Sequence, residues 1–451
     1  MSMGKRSNEP QQHNMWIATQ DLPRSASHPF YKRLNQILKQ AGFDAFVEGL
    51  CARFYAPKMG RPSLSPGCYF RLLMVGYFEG LDSERGIAWR AADSLSLRQF
   101  LGLQLDEAPP DHSTISRTRR LIDVETHEAV FRWILEHLAA AGLVKGQTVG
   151  IDATTLEANA ALRSIVRRDT GEGYEAFLTR LAQASGIATP TREDLARIDR
   201  KRKGKASNDD WTHPGDPDAR ITKMKDGRTH LAHKAEQAVD LETGAVVAVT
   251  VQPADDGDTT TIEETATKAA ENVEQAVPDG DGIEELVADK GYHSNEVITA
   301  LTEIGVRTYI SEPNRGRRNW EGKQAERRAV YRNRRRIHGE RGRQLLRRRG
   351  EILERPFAHA YETGRLRRVH LRGRSNILKR VLIHTAALNL GLLMRLIMGV
   401  GTPRGLQGRL RPLLADLFAV VHCLISAKPR FWSNASCGRT LLMGQVPVCV
   451  P

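Results

Sequence analysis

The sequence predicts an α/β protein in which a mixed sheet with flanking helices is interrupted by an insertion after its first strand and preceded by an all-helical N-terminal domain. Three observations predict it. A short apolar run, Val149 to Ile151, stops at a carboxylate, Asp152, and is followed by small and hydroxyl-bearing residues, the pattern of a buried strand that delivers an acid to its C-terminal end. A second short apolar run, Leu286-Val-Ala288, stops in the same way at Asp289. Between them lie a hairpin pattern and a helix pattern, whereas the stretch before residue 143 reads as helices.

The 451 residues are enough for two or three domains. A net charge of +14 points to a polyanionic partner, nucleic acid first and an anionic membrane surface second. Met1–Arg24 is polar and lacks the apolar core of a secretory signal, so the chain is expected in the cytoplasm. The longest apolar stretch, Val381 to Met398, is interrupted by His384, Asn389 and Arg395 and reads as a buried helix rather than a membrane span. Cys51, Cys68, Cys423, Cys437 and Cys449 are odd in number and scattered, which argues for reduced thiols and against a zinc site.

In chain order, residues 1–56 form a leader and helices, and 57–142 a helical DNA-binding domain. A basic turn at Ala56–Pro66 leads into a helix to about Glu79, and two further helical patterns span Ser83–Asp93 and Ser96–Leu101. Asp111 or Ser113 caps a helix carrying Arg117, Arg119 and Arg120, a helix-turn-helix-like arrangement that would set those arginines on phosphates; a solvated face packed on the next domain is an equal alternative. Val124–Ala141 is amphipathic and leads into the first strand. The catalytic domain spans 143–400. Its insertion, about 163–228, is charged and part helix, part loop. Regularity resumes with strands at Leu231–Val239 and Ala245–Thr250 around the turn Leu241-Glu-Thr-Gly244. A helix follows with Thr260 and Glu263 in capping-box spacing, then the second acidic strand, a helix at Ser294–Ile304 and a strand at Val306–Ile310. This order of elements is that of a ribonuclease H-like fold. An arginine-rich segment covers about 315–349, and no pattern is assigned to the tail, 401–451.

Phosphodiester chemistry with divalent metals needs hard oxygen ligands that hold two ions about 4 Å apart. Adjacent parallel strands would set Asp152 and Asp289 side by side. The third carboxylate is expected on a helix after Ile310: Glu354, with Ile352, Leu353 and Phe357 turned to the sheet, or Glu351 one turn earlier. At Val149-Gly-Ile-Asp-Ala-Thr-Thr155, Ala288-Asp-Lys-Gly-Tyr-His-Ser294 and Leu353-Glu-Arg-Pro-Phe-Ala-His359 the chain resembles the DDE transposases of bacterial insertion sequences. The likeness extends from Gly60-Arg-Pro62, through Pro109–Arg117, to about Arg395.

The resemblance implies a transposase that cleaves DNA at element ends and transfers strands to target DNA, with Asp152, Asp289 and Glu354 as catalytic acids and metal ligands. It implies two Mg2+ ions, with Mn2+ as a substitute. Double-stranded DNA (terminal inverted repeats and target) is the implied partner, with a homodimer or higher multimer on DNA, no membrane, and a cytoplasmic, nucleoid-associated location when bound. The family's third motif often reads Tyr-x-x-Arg-x-x-x-Glu-x-x-x-x-x-x-Lys. Counting from Glu354 puts Gly350 and Tyr361 at the Arg and Lys places, while Glu351 restores Arg347 but gives Ala358. Arg349, Arg355 or Arg365 are the candidates to supply the auxiliary charge.

DNA contacts are expected from Arg117, Arg119, Arg120, Arg327, Arg328, Arg334, Arg335, Arg336, Arg347, Arg349, Arg365 and Arg372, with Trp320 either stacking on a base or anchoring its loop. The nearly single-signed belt at 327–349 costs self-repulsion unless phosphates relieve it. His230 and His233 read as structural, Glu157 as solvated, capping or supporting, and Tyr292 and His293, directly after the second acid, either as touching DNA or the surroundings of that acid or, equally, as packing. A metal-dependent nuclease without strand transfer and a non-catalytic DNA-binding protein derived from a transposase are the alternatives.

Overall fold

The computed structural model describes residues 27–56, 63–202, 206–224, 226–314, 316 and 318–407. The leader, the Gly60-Arg-Pro62 turn, part of the 201–205 basic run, the tail and three of the five cysteines lie outside the described residues; Cys51 and Cys68 are buried free thiols.

The chain opens with α1 (Pro29–Gln40), α2 (Phe43–Cys51), α3 (Pro66–Glu79), α4 (Glu84–Asp93), α5 (Leu95–Leu101), α6 (His112–Leu121) and α7 (Val124–Ala140). Local chemistry sets these limits. Ser65 accepts the Cys68 N–H to start α3, with Pro66 at the first helical position, and left-handed Gly80 ends it. Asp111, not Ser113, caps α6, and Asp123 caps α7.

β1 (Thr148–Glu157) follows. The insertion holds β2 (Val166–Arg167), α8 (Tyr174–Ala184), α9 (Arg192–Lys201), β3 (Trp211–Thr212) and β4 (Arg220–Lys223). Next come β5 (Thr229–Asp240), β6 (Val246–Pro253), α10 (Asp258–Ala276), β7 (Glu285–Ala288), α11 (Asn295–Glu303), β8 (Arg307–Ile310), α12 (Gln324–His338), α13 (Glu340–Glu362) and α14 (Arg374–Met398). The expected capping box at Thr260 and Glu263 does not form. The helix cap lies three residues earlier, at Gly257, without a side-chain cap bond, and the Thr260 hydroxyl donates back to the Gly257 carbonyl.

The main sheet runs β4-β5-β1-β7-β8, with β6 also on β5. β6, β5 and β1 are antiparallel, and β1, β7 and β8 are parallel, which is the ribonuclease H-like arrangement. β2 and β3 pair apart from it, but β4 joins the main sheet on the edge of β5 that β6 also uses, so the insertion is built partly into the core.

Two fully buried asparagines close strand edges. Asn333 of α12 accepts the Ile310 N–H at 3.0 Å and donates to its carbonyl at 2.8 Å, and Asn389 of α14 does the same for Val246 at 3.0 and 2.8 Å. Each satisfies backbone groups that a buried edge would otherwise leave unpaired.

α14 is long and apolar enough to cross a membrane, yet 72% of its most apolar window is buried inside the fold. It packs on α3 and α7 and also on β6, so the N-terminal helices and the sheet share one core.

His127 of α7 sits in that core. Its Nδ1 donates to the Asp123 carbonyl at 2.6 Å, which leaves Nε2 to accept from the Tyr69 hydroxyl at 3.0 Å. Burial pushes its pKa down to about 3 from 6.5. The unfolded chain therefore binds the extra proton between those values, and stability is full above pH 6.5 and declines as pH falls toward 3, by roughly 1.4 kcal/mol per unit for this one group. Urea titrations across that range should show the decline, and His127→Gln should flatten it by one proton's share. Parallel curves for the two proteins would rule His127 out as the source.

Candidate active site

The parallel pairing of β1 and β7 matches Ile151 with Ala288, so Asp152 and Asp289 stand at the same level of neighbouring strands. Neighbouring strands lie about 4.8 Å apart, and residues at one level of a sheet point to the same face. Asp152 is half-buried and Asp289 exposed. Asp152 turns Oδ1 onto the Ala153 N–H at 2.9 Å, and Asp289 turns Oδ1 onto the Lys290 N–H at 2.7 Å.

The α13 helix lies along β1 and is fixed at three levels. At its start, Arg341 donates to buried Glu285 at the foot of β7 at 2.8 Å. Midway, Leu353 packs against Gly150: a Cβ there would lie 2.3 Å from a Leu353 methyl, so only glycine admits the helix this close. Near its end, the Tyr361 hydroxyl donates to the Thr155 carbonyl at 2.9 Å and meets the Thr154 hydroxyl. Tyr361, at the family's Lys place, is thus a strut to β1.

Arg349 reaches from this helix to Asp152, with its guanidinium 3.1 Å from Oδ2. Asp152 therefore already has a cationic partner, and a carboxylate on each of two neighbouring parallel strands is the donor chemistry a hard divalent cation takes. Glu354 is exposed and lies about 100° round the helix from Leu353. Glu351 lies one turn earlier, about 60° round the helix from Glu354, and is also exposed. It lines a cleft with Gln344, Arg347, Arg348, Ile352 and Arg355, on the side where Arg348 donates to the Glu242 carbonyl of the β5–β6 turn at 3.1 Å. Among the described residues, no group of three or more His, Cys, Asp or Glu is close enough to hold a metal.

The arginines sort into two sets. Arg117, Arg120, Arg327, Arg328, Arg335, Arg347, Arg365 and Arg372 are exposed. Others are tied internally: Arg334 forks onto Glu312 at 2.8 and 3.0 Å, Arg336 donates to the Thr308 carbonyl and hydroxyl, both at 3.0 Å, and Arg349 holds Asp152. Trp320 meets the Tyr331 ring edge-on, with Arg318 5.5 Å from its centroid. His233 is buried on Asp216 at 3.1 Å, and His230 meets Asp226 at 2.9 Å. Glu157 stands within ion-pair reach of His230 and Arg368. Tyr292 is buried with its hydroxyl on Glu236 of β5, a residue that sequence reasoning passed over. The signal was there: Lys234 and Glu236 put two opposite charges on one face of a strand, at the spacing of neighbours on that face.

A ribonuclease H-like sheet whose central parallel strands pair Ile151 with Ala288, each followed by an aspartate, in a strongly basic chain, fits the transposase class. Residues 19–121 match the family model described as Transposase domain (DUF772), and residues 206–390 match the one described as Transposase DDE domain. The chain belongs to the insertion-sequence DDE transposases. The second match spans Asp289 and Glu354 and begins after β1, so it does not include Asp152. No curated protein matches the chain.

Arg119 departs from its expected place on DNA. It is 6% exposed, pairs with Glu84 of α4 and donates to Asn376 of α14. Ile115 and Ile122 flank it on the buried face, which explains why it points inward while Arg117 and Arg120 point out. Arg119→Ala should strand the Glu84 charge and destabilise the fold by about 3–5 kcal/mol in urea unfolding, whereas Arg120→Ala should leave stability within about 0.5 kcal/mol.

Proposed function

We propose that this transposase cleaves DNA at the ends of its element and joins the freed 3′ ends to target DNA, with Asp152, Asp289 and Glu354 as its catalytic carboxylates. The single observation that supports the reading is the register of β1 with β7, which pairs Ile151 with Ala288, the residues immediately before the two acids. Glu354 is favoured over Glu351 because it follows Leu353, the side chain seated on Gly150 two residues before Asp152, whereas Glu351 belongs to the cleft by the β5–β6 turn. Asp152 and Asp289 would hold the divalent ions, with Glu354 completing the set. Magnesium, when bound, supplies Lewis-acid charge at the scissile phosphate and an activated nucleophile.

Arg349, released from Asp152, is placed to contact the phosphate. The exposed arginines of α6 and α12 would hold the DNA backbone, and pairing of two element ends calls for more than one copy of the chain. The protein would work in the cytoplasm on nucleoid DNA.

Asp152→Asn and Asp289→Asn should each abolish Mg2+-dependent cleavage of end-bearing DNA while binding in gel-shift assays stays near wild type. Glu354→Gln should do the same, and Glu351→Gln should retain cleavage. Full cleavage by Glu354→Gln would remove that residue from the mechanism. Strand transfer from pre-cut ends separates this reading from a nuclease that cuts without joining: wild-type protein that cuts but never joins would reduce the function to hydrolysis.

A further inference from the structure

Glu236 lies at the centre of β5, fully buried, directly opposite Ala153, the neighbour of Asp152 on β1. Its Oε1 accepts hydrogen bonds from the Tyr292 hydroxyl at 2.8 Å and the Thr261 hydroxyl at 3.0 Å, and its Oε2 accepts from the Thr265 hydroxyl. Lys234, two residues earlier on the same face, donates to Thr261 at 2.9 Å and pairs with Asp258 at 2.6 Å. One carboxylate therefore ties β5 to the first turns of α10 and to the turn after β7.

That turn carries Asp289. Residues 290–292 form a single 3-10 turn capped by Asp289, and the Tyr292 N–H closes it on the Asp289 carbonyl at 3.1 Å. Gly291 is pressed onto α10 so closely that a Cβ would stand 2.5 Å from the Asp258 carboxylate. The Tyr292 ring is 1% exposed, and burial together with the charges of Glu236, Asp258 and Asp152 keeps its phenol protonated and a donor. Packing alone would be served as well by an apolar side chain at 236, because a buried carboxylate has a desolvation cost. What the carboxylate adds is direction.

We infer that Glu236 is a positioning residue for the transposase reaction: through the Tyr292 hydroxyl it braces the turn that bears Asp289 against the strand beside Asp152, and so sets the spacing of the two acids. This rests on the reading of Asp152 and Asp289 as metal-holding acids. Neither Glu236 nor Tyr292 touches substrate in it.

The test is Mn2+ binding to the full chain by calorimetry, with melting temperature measured alongside. Tyr292→Phe removes only the hydroxyl link and keeps the ring. It should melt close to wild type, bind Mn2+ at least about tenfold more weakly, and regain cleavage as Mn2+ is raised. Glu236→Gln, whose amide oxygen still accepts from Tyr292, should lose less than Glu236→Ala, and combining it with Tyr292→Phe should add little to Tyr292→Phe alone. Tyr292→Phe that is folded and binds Mn2+ as wild type does overturns the inference, even if Glu236→Ala fails to fold. Wild-type protein whose Mn2+ binding is untouched by Asp289→Asn overturns instead the reading of the acids, and the inference falls with it.

Discussion

The active end of this molecule depends on the register of two strands. Ile151 is paired with Ala288 across β1 and β7, and both acids follow one residue later. Side chains alternate along a strand, so a slip of one residue would turn one aspartate to the opposite face of the sheet and separate the pair. The feet of the same strands carry a lock against that slip. Glu285 at the start of β7 accepts from the Thr148 hydroxyl of β1 at 2.9 Å and the Tyr309 hydroxyl of β8 at 3.0 Å, and Arg341 of α13 covers it. A single buried carboxylate at the bottom of the sheet thus fixes the level of two carboxylates at the top.

Two anions at adjacent strand ends repel each other, and the protein contains the repulsion from one side only. Arg349 leans on Asp152, while Asp289 is exposed and bonded to its own turn. Displacing Arg349 by a cation of higher charge density would free a guanidinium a few ångströms from where a phosphate has to sit. The helix that carries Arg349 cannot drift to accommodate this, because Arg341, Leu353 and Tyr361 hold it along the whole of β1. Movement is left to side chains on its exposed flank, and Glu354 is one of them.

Much of this was legible in the sequence because the physics is local. β7 stops just before its acid as its apolar run predicts, whereas β1 runs past Asp152 to Glu157 along β5; the hairpin at Leu241–Gly244 and the buried character of α14 follow from patterns a few residues long. What escaped was contact across the chain. Nothing near Asn333 or Asn389 announces that each will close a strand edge, since their partners Ile310 and Val246 are 23 and 143 residues away. β4 reads as loop because its four residues gain their structure from β5. Arg119 was misplaced for a different reason. Its position on the Ile115–Ile122 face was readable from helical spacing, but the neighbouring arginines drew it into a run treated as one surface.

The same sorting changes what the arginine-rich segment means. If every arginine of α12 faced solvent, the helix would bear a self-repulsion that only bound phosphate could relieve. Arg334 and Arg336 instead spend their charge on Glu312 and on the polar groups of Thr308, and so fasten the helix to β8. Arg327, Arg328, Arg332 and Arg335 are left exposed with Tyr331, which is 40% exposed. At about 100° per residue these five fall within one arc of roughly 140° on the helix surface. A cationic face around one aromatic ring is a more definite object than a basic segment. Backbone contacts from such a face would be salt-sensitive and indifferent to base sequence, so they can supply affinity but not the recognition of element ends.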